Sequence, residues 1–168
     1  MTADTDADDA QSAPQPEPHV GIVLVSHSER LAEGVAELAR QLGGDLVPIA
    51  AAGGTDDGSL GTSIEKIGSA IRDADAGAGV LLLADLGSAV LTVRALLEDA
   101  AELNGAPERA DDSGAAARDA ASVGSARAVI ADAPLVEGAV SAVVTAAAGG
   151  DLAAVLASAE EARGFRKL

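Results

Sequence analysis

The residue of this sequence best suited to chemistry is His27, which lies between a short apolar run and a helix-forming stretch. The apolar run, Val20–Val25, has the length of a buried β-strand, and the residues after His27 have helical periodicity. A strand that turns directly into a helix leaves the free N–H groups and the positive end of the helix beside the turn, where they can hold an anion. Because neutral imidazole is a competent nucleophile near pH 7, this position allows His27 to accept a phosphoryl group.

A carboxylate and several small residues are placed to support His27. Asp85 follows another apolar run, Val80–Ala84, so in a parallel sheet it would end at the same edge as His27. We expect Asp85 to bind one ring nitrogen of His27 and to fix its tautomer. Hydroxyl and backbone donors for the phosphoryl oxygens are expected from five residues at that edge: Ser28, Gly53, Gly54, Gly87 and Ser88.

Other interpretations of these residues stay open at this stage. A histidine after a strand commonly caps a helix or lies at the edge of a core, and Asp85 alone would serve equally well as a helix cap. A metal site is disfavoured because cysteine is absent and the other histidine, His19, lies at the boundary of an acidic stretch, where we expect it to be inert. Ser26 and Ser28 lack the G-x-S-x-G context of a hydrolase nucleophile. The loop Gly53–Gly61 matches neither a Walker loop nor a dinucleotide fingerprint.

The elements that position His27 follow a regular alternation of strands and helices. Four strands are predicted, over Val20–Val25, Leu46–Ala51, Val80–Ala84 and Ala128–Ala131. Because parallel strands need helical crossovers, we predict an α/β fold with an open, mainly parallel sheet of four to five strands flanked by helices. The residues alone therefore indicate an α/β domain with a candidate anion site.

The first two helices carry start signals and apolar faces. Capping boxes, SHSE from Ser26 and TSIE from Thr62, predict where the helices begin. Apolar spacing predicts a buried face in each helix. The predicted faces are Leu31, Val35, Leu38 and Leu42 in the first helix, and Ile64, Ile67 and Ile71 in the second.

Composition restricts the partners and the compartment. The 168 residues fit one domain, predicted over residues 19–168, with residues 1–18 as a disordered acidic tail and residues 104–126 as a polar surface loop. A formal charge of −16 argues against nucleic acid and anionic membranes as partners. The absence of cysteine excludes disulfides and thiolate chemistry. No apolar run approaches the about 20 residues that span a bilayer, so we expect a cytoplasmic protein.

Four segments, in chain order, carry a specific resemblance. They are VGIVLVSHSERLAEGVAELARQL at Val20–Leu42, VPIAAAGGTDDGSLGTS at Val47–Ser63, VLLLADLGSAVLTV at Val80–Val93 and APLVEGAV at Ala133–Val140. Over about Val20 to Arg163, the sequence resembles the phosphotransferase subunit of bacterial-type dihydroxyacetone kinase. That subunit belongs to the mannose-family enzyme IIA group of the phosphoenolpyruvate:sugar phosphotransferase system.

The resemblance implies a phosphoryl carrier. In that family the histidine of the S-H-S motif is phosphorylated, which assigns the role to His27. The phosphoryl group comes from phosphoenolpyruvate through enzyme I and the phosphocarrier HPr. It then passes to ADP on the nucleotide-binding subunit of the kinase, so no cofactor is expected on this chain itself.

The resemblance also implies a homodimer and a sheet with one further strand, which the sequence pattern does not reveal. Some members of the family carry HPr-like and enzyme I-like domains behind this one. At 168 residues, the chain is expected to obtain phosphate from separate proteins.

Two other functions stay open. An enzyme IIA domain of a mannose-family sugar transporter would share the fold, although PIAAAGG and APLVEG resemble the kinase subunit more closely. A non-catalytic regulatory module would bind a small anion at the same edge without forming phosphohistidine.

Overall fold

The structure, a computed structural model that describes residues 18–103 and 120–168, alternates strands with helices. The strands are β1 Gly21–Ser26, β2 Ile49–Gly53, β3 Val80–Ala84, β4 Ala120–Val123 and β5 Ala126–Ile130. The helices are α1 Glu29–Gly43, α2 Ile64–Ala74, α3 Gly87–Leu103, α4 Leu135–Ala147 and α5 Leu152–Glu161. Short 3-10 turns follow α1, at Gly44–Leu46, and α5, at Ala162–Gly164.

The five strands of the described residues form one sheet, in the order β2-β1-β3-β5-β4. The pairs β1–β2, β1–β3 and β3–β5 are parallel, whereas β4 runs antiparallel to β5. The predicted α/β fold with a mainly parallel sheet is therefore confirmed. In the described residues, none of the helices is both long and apolar enough to cross a membrane.

The fifth strand corrects the predicted loop over residues 104–126. Residues 120–123 form β4, and β5 already begins at Ala126, with a turn at Gly124 (φ +65°) between them. The AASV sequence of β4 has weak strand propensity, and pairing with β5 supplies its hydrogen bonds, so the strand depends on a tertiary contact. Residues 104–119 and the predicted tail up to residue 17 lie outside the described residues.

The chain changes direction across the sheet between β1 and β3. From β1 the chain passes through α1 to β2 on one side, and from β3 it continues through α3 to β4 and β5 on the other. Such a switch point leaves a crevice at the carboxyl ends of the two central strands, where ligands bind in open α/β sheets. His27 follows β1 and Asp85 follows β3, so both residues lie at this crevice.

One face of the sheet packs against α1, α4 and α5, and the other packs against α2 and α3. The predicted buried face of α1 is wrong except at Val35, because Leu31, Leu38 and Leu42 are between 41% and 49% exposed. The buried side of α1 is instead Ala32, Val35, Ala36, Ala39 and Gly43. Small residues let α1 approach α4 closely: a Cβ at Gly43 would lie 2.3 Å from Val143 Cγ2.

Both helices begin within the predicted capping boxes, but their caps are not the first residue of each box. Ser28 caps α1 and Ser63 caps α2, each by accepting a backbone N–H from the residue three positions on. Ser26 cannot cap α1 because it is still paired with Gly53 in the sheet. In α2, Ile67 and Ile71 are buried as predicted, whereas Ile64 is exposed.

Candidate functional site

His27 and Asp85 are joined by two hydrogen bonds across the crevice. The Nδ1 atom of His27 lies 3.0 Å from Oδ1 of Asp85, and the backbone N–H of His27 donates to Oδ2 of Asp85 at 2.9 Å. The backbone is fixed as well, because Asp85 N–H donates to Val25 O at 3.1 Å. The side chains are 26% and 11% exposed, respectively, so the imidazole is accessible while the carboxylate is largely enclosed.

The environment of Asp85 determines which nitrogen of His27 is free. Burial raises the pKa of Asp85, but hydrogen bonds from the His27 backbone, the His27 ring and the Ser26 hydroxyl outweigh burial and hold the pKa below its usual value of 3.8. The ionised carboxylate can only accept hydrogen bonds, so Nδ1 of a neutral His27 must carry the proton. Nε2 then bears the lone pair and faces away from Asp85.

Ser88 lies at that second nitrogen. Its Oγ is 2.9 Å from Nε2 of His27, and with the proton on Nδ1 the serine hydroxyl is the donor. Gly87 and Ser88 are the first two residues of α3, whose first helical bond runs from Val90 N–H to Leu86 O. N–H groups in the first turn of a helix have no partner within that helix and attract anions. Nε2 of His27 therefore faces a hydroxyl group and a helix N-terminus.

Ser28 lies beside His27, but its hydroxyl and its N–H already make hydrogen bonds within the fold. Its hydroxyl caps α1 by accepting from Leu31 N–H at 3.4 Å, and its N–H donates to Ser26 Oγ at 3.0 Å. Binding of phosphate by Ser28, as the sequence predicts, would compete with both of these bonds.

Gly53 and Gly54 shape the site through close packing. A Cβ at Gly53 would lie 2.5 Å from Glu29 Cα and 2.6 Å from Ser28 O, so only glycine lets the end of β2 approach the start of α1 this closely. Gly54 has φ +72°, and its N–H donates to Ser26 O at 3.1 Å. Binding of phosphate by the Gly54 N–H, as the sequence predicts, would compete with this bond, which holds the loop to β1.

The loop after Gly54 is ordered by its own hydrogen bonds and is tied to the site. Asp57 accepts from the Thr55 hydroxyl at 2.5 Å and from Ser59 N–H at 3.0 Å. Gly61 N–H donates to His27 O at 3.0 Å, so the loop supports the backbone of His27. Next to it, the Thr62 and Thr92 hydroxyls lie 2.9 Å apart, which connects the loop to α3.

Ser26 is a site residue that the sequence analysis missed. Its side chain is fully buried, and its hydroxyl donates to Oδ2 of Asp85 at 2.9 Å. The available signal was a single polar residue that closes an otherwise apolar buried strand, since buried polar groups require hydrogen-bond partners. His19, in contrast, lies away from the crevice, with Nδ1 2.7 Å from Ala146 O at the end of α4.

The arrangement suits a nucleophilic reaction at His27. The connectivity carboxylate–imidazole–hydroxyl, from Asp85 through His27 to Ser88, also matches that of a hydrolytic triad. Geometry alone therefore admits two nucleophiles, Nε2 of His27 and Oγ of Ser88.

Comparison with known proteins gives the family to which the chain belongs. The family model EIIA-man, described as the PTS system fructose IIA component, matches residues 21–105, just over half of the chain. A relative from Escherichia coli (strain K12), named PEP-dependent dihydroxyacetone kinase, phosphoryl donor subunit DhaM, is 40% identical over 146 residues, covering 85% of this chain and 27% of the relative. A Listeria innocua protein, named PEP-dependent dihydroxyacetone kinase 2, phosphoryl donor subunit DhaM, is 39% identical over 79 residues, 47% of this chain and 63% of that protein. The chain thus spans about a quarter of the length of the Escherichia coli relative.

Two solved structures share the fold of this chain. The crystal structure of EF1359, a protein of unknown function, has a TM-score of 0.66 and 33% sequence identity, covering 89% of this chain and 98% of that one. A sigma-54 interaction domain protein from Enterococcus faecalis has a TM-score of 0.53 at 14% identity, covering 88% and 92%, which shows a shared fold alone. From the fold, the matched residues and these similarities, the chain belongs to the EIIA-man family, the PTS system fructose IIA component.

Proposed function

We propose that this chain is a phosphoryl carrier of a phosphoenolpyruvate-dependent dihydroxyacetone kinase, with Nε2 of His27 as the phosphoryl acceptor. The observation that carries the proposal is the pair of contacts on the His27 ring. Asp85 holds Nδ1, and Nε2 faces the Ser88 hydroxyl and the start of α3.

The transfer step follows from this geometry. The lone pair on Nε2 attacks phosphorus, and the bond from phosphorus to the donor breaks, with its electron pair leaving on the donor. No proton has to leave His27, because Nδ1 keeps its own. The ring gains positive charge while it carries the phosphoryl group, and the Asp85 carboxylate stabilises that charge. The second transfer reverses these changes when an acceptor oxygen attacks phosphorus.

The phosphoryl oxygens need donors, since phosphoryl transfer depends on positioning and on stabilising these oxygens. We assign that role to the Ser88 hydroxyl and the first-turn N–H groups of α3, at Gly87 and Ser88. Ser88 would then exchange its bond to Nε2 for a bond to a phosphoryl oxygen.

The partners of this chain are proposed to be other proteins of the relay. HPr, charged from phosphoenolpyruvate by enzyme I, would deliver the phosphoryl group in the cytoplasm. ADP on the nucleotide-binding kinase subunit would receive it, so this chain needs no cofactor of its own. The names of the relatives as phosphoryl donor subunits support this order of transfer.

The surface around His27 supports a protein partner. Leu86 directly precedes α3, Leu91 lies in the second turn of that helix, and Leu60 precedes Gly61, which binds the His27 backbone. These leucines are between 59% and 82% exposed. Exposed apolar groups around a reactive residue are typical of a surface that another protein covers during transfer.

A homodimer is also part of the proposal. We place the contact on the outer faces of the neighbouring helices α1 and α4, where Leu31, Leu38 and Leu42 of α1 and Val136 and Val144 of α4 are exposed. All five are at least 40% exposed, and α1 presents its largest apolar residues to solvent. Such a surface favours association.

A sugar transporter of the mannose family would use the same His27 chemistry. The family description names a fructose component, whereas the similar proteins reported above are named as dihydroxyacetone kinase subunits. The acceptor protein therefore distinguishes the two functions, and the relatives favour the kinase.

The test begins with phosphorylation of the parent chain by phosphoenolpyruvate, enzyme I and HPr, read by intact mass. We expect one acid-labile phosphoryl group, which His27→Ala abolishes while the circular dichroism spectrum stays unchanged. Addition of the kinase subunits with ADP should discharge the label and form ATP. No gain in mass on the parent would instead indicate a regulatory anion-binding module.

Ser88→Ala separates the two nucleophiles. If His27 is the acceptor, the variant still gains an acid-labile group, although more slowly. If Ser88 is the nucleophile, Ser88→Ala carries no covalent group, and the parent's modification is stable in acid.

A further inference from the structure

We propose that Ser26 is a positioning residue, whose buried hydroxyl aligns the Asp85 carboxylate with Nδ1 of His27. The inference deepens the phosphoryl-carrier function proposed above and rests on it. The hydroxyl makes two hydrogen bonds: it donates to Oδ2 of Asp85 at 2.9 Å and accepts from Ser28 N–H at 3.0 Å.

The Asp85 carboxylate is oriented because its two oxygens have different hydrogen-bond partners. Oδ2 receives two donors, the Ser26 hydroxyl and the His27 backbone N–H. Oδ1 is left for the ring, at 3.0 Å from Nδ1. Two donors on Oδ2 resist rotation of the carboxylate, so Oδ1 stays aimed at His27.

The position of Ser26 makes this alignment rigid. Ser26 is the last residue of β1, pairs with Gly53 of β2 and has no solvent exposure. The Ser26 hydroxyl is therefore shielded from competing water. Without that hydroxyl, Asp85 can turn, and the tautomer of His27 is no longer imposed.

A purely structural role is the alternative, because the hydroxyl also satisfies Ser28 N–H at the start of α1. Loss of the partner for this part-buried N–H would lower stability, whatever Asp85 does. The test must therefore separate a less stable protein from a misaligned imidazole.

The primary measurement is the tautomer of His27 by nitrogen-15 NMR, at a pH where the ring is neutral. The chain has two histidines, so a His19→Ala background leaves the His27 ring as the single imidazole signal. We expect the Nδ1–H tautomer to dominate in that background, and Ser26→Ala to give a mixture of both tautomers. Ser26→Cys, which keeps a side-chain donor but is slightly larger and donates weakly, should lie between the two.

The second measurement is the rate of phosphoryl transfer from phospho-HPr. Ser26→Ala should slow transfer roughly 10-fold, at the lower end of the range for residues that orient a reactive histidine. In an Asp85→Asn background, the same change should alter the rate by no more than about twofold, because Ser26 acts through Asp85.

Ser63→Ala is the matched control. Ser63 is a buried serine that caps α2 by accepting from Lys66 N–H at 3.1 Å, so its loss should lower stability without moving the tautomer or the rate. The proposal is overturned if Ser26→Ala lowers stability but keeps the background's tautomer and rate. If the parent is never phosphorylated, the proposed function fails, while the tautomer measurement still tests Ser26.

Discussion

Replacement of Asp85 by Asn tests whether a carboxylate is needed beside His27. The amide has nearly the same shape but no charge, and it can present either an oxygen or an NH2 group to Nδ1. The variant therefore loses both the fixed tautomer and the negative charge that offsets the charge on a phosphorylated ring. We expect Asp85→Asn to remain phosphorylatable and to transfer more slowly.

The size of the effect follows from the 3.0 Å contact between Nδ1 and Asp85 Oδ1. A hydrogen bond to a charged group contributes about 1.5–3 kcal/mol. Since about 1.4 kcal/mol corresponds to a tenfold change in rate, loss of that contribution slows transfer about 10-fold to 100-fold. The His27 side chain is 26% exposed, so solvent screens part of the charge effect and the lower half of that range is expected.

The assay is rapid-quench transfer of labelled phosphoryl groups from phospho-HPr, with the final stoichiometry measured alongside the rate. Asp132→Asn is the control for the loss of one negative charge, because Asp132 follows β5 at the same edge and pairs with Arg163. A parent-like rate in Asp85→Asn would refute the reasoning. Asp85 would then be a helix cap, with Ser88 or a backbone carbonyl as the partner of the ring.

Three further predictions follow from contacts within the structure. Gly53→Ala should lower the free energy of unfolding in urea by about 1–3 kcal/mol through overpacking against Glu29, whereas Gly34→Ala, in open space on α1, should not destabilise the chain. His19→Ala should leave phosphorylation unchanged and lower stability by about 0.5–1.5 kcal/mol, since it loses the bond to Ala146 O; a slower transfer rate would contradict this. The pKa of Asp85 is lowered in the folded state, so its contribution to stability is present above its ordinary value of 3.8 and is lost as pH falls through the lower folded value. Thermal denaturation of the parent and of Asp85→Asn should therefore converge as pH is lowered from 6 to below 3.8, and a difference that stays constant would show that the carboxylate charge does not matter.

Local sequence determined where the main elements lie. The runs at Val20–Val25 and Val80–Ala84 are short, apolar and flanked by turns, which is enough to predict β1 and β3 nearly to the residue. Their parallel arrangement follows from the helices between them. His27 and Asp85 were expected at one edge for that reason, without any knowledge of contacts.

The tertiary structure determined which face of α1 is buried and where the weakest strand, β4, forms. Leucine spacing predicts a leucine face for α1, but α4 approaches closely at Gly43, and the buried side of α1 consists mainly of alanine and glycine. Similarly, β4 has little strand propensity of its own and exists because β5 offers an edge to pair with. Helical and strand periodicity describe one element at a time, so neither outcome could be read from them.

At the site, too, the sequence predicted which residues lie close together, and the tertiary structure determined their contacts. Sequence order placed a histidine, an aspartate and small residues near one another, whereas the hydrogen-bond partners depend on atoms from different strands. Gly54 uses its N–H to bind Ser26, and Ser26 in turn orients toward Asp85, a residue 59 positions further along the chain. Each of these hydrogen bonds requires its donor and acceptor to be about 3 Å apart. Only the folded sheet brings the segments that carry these atoms to that distance.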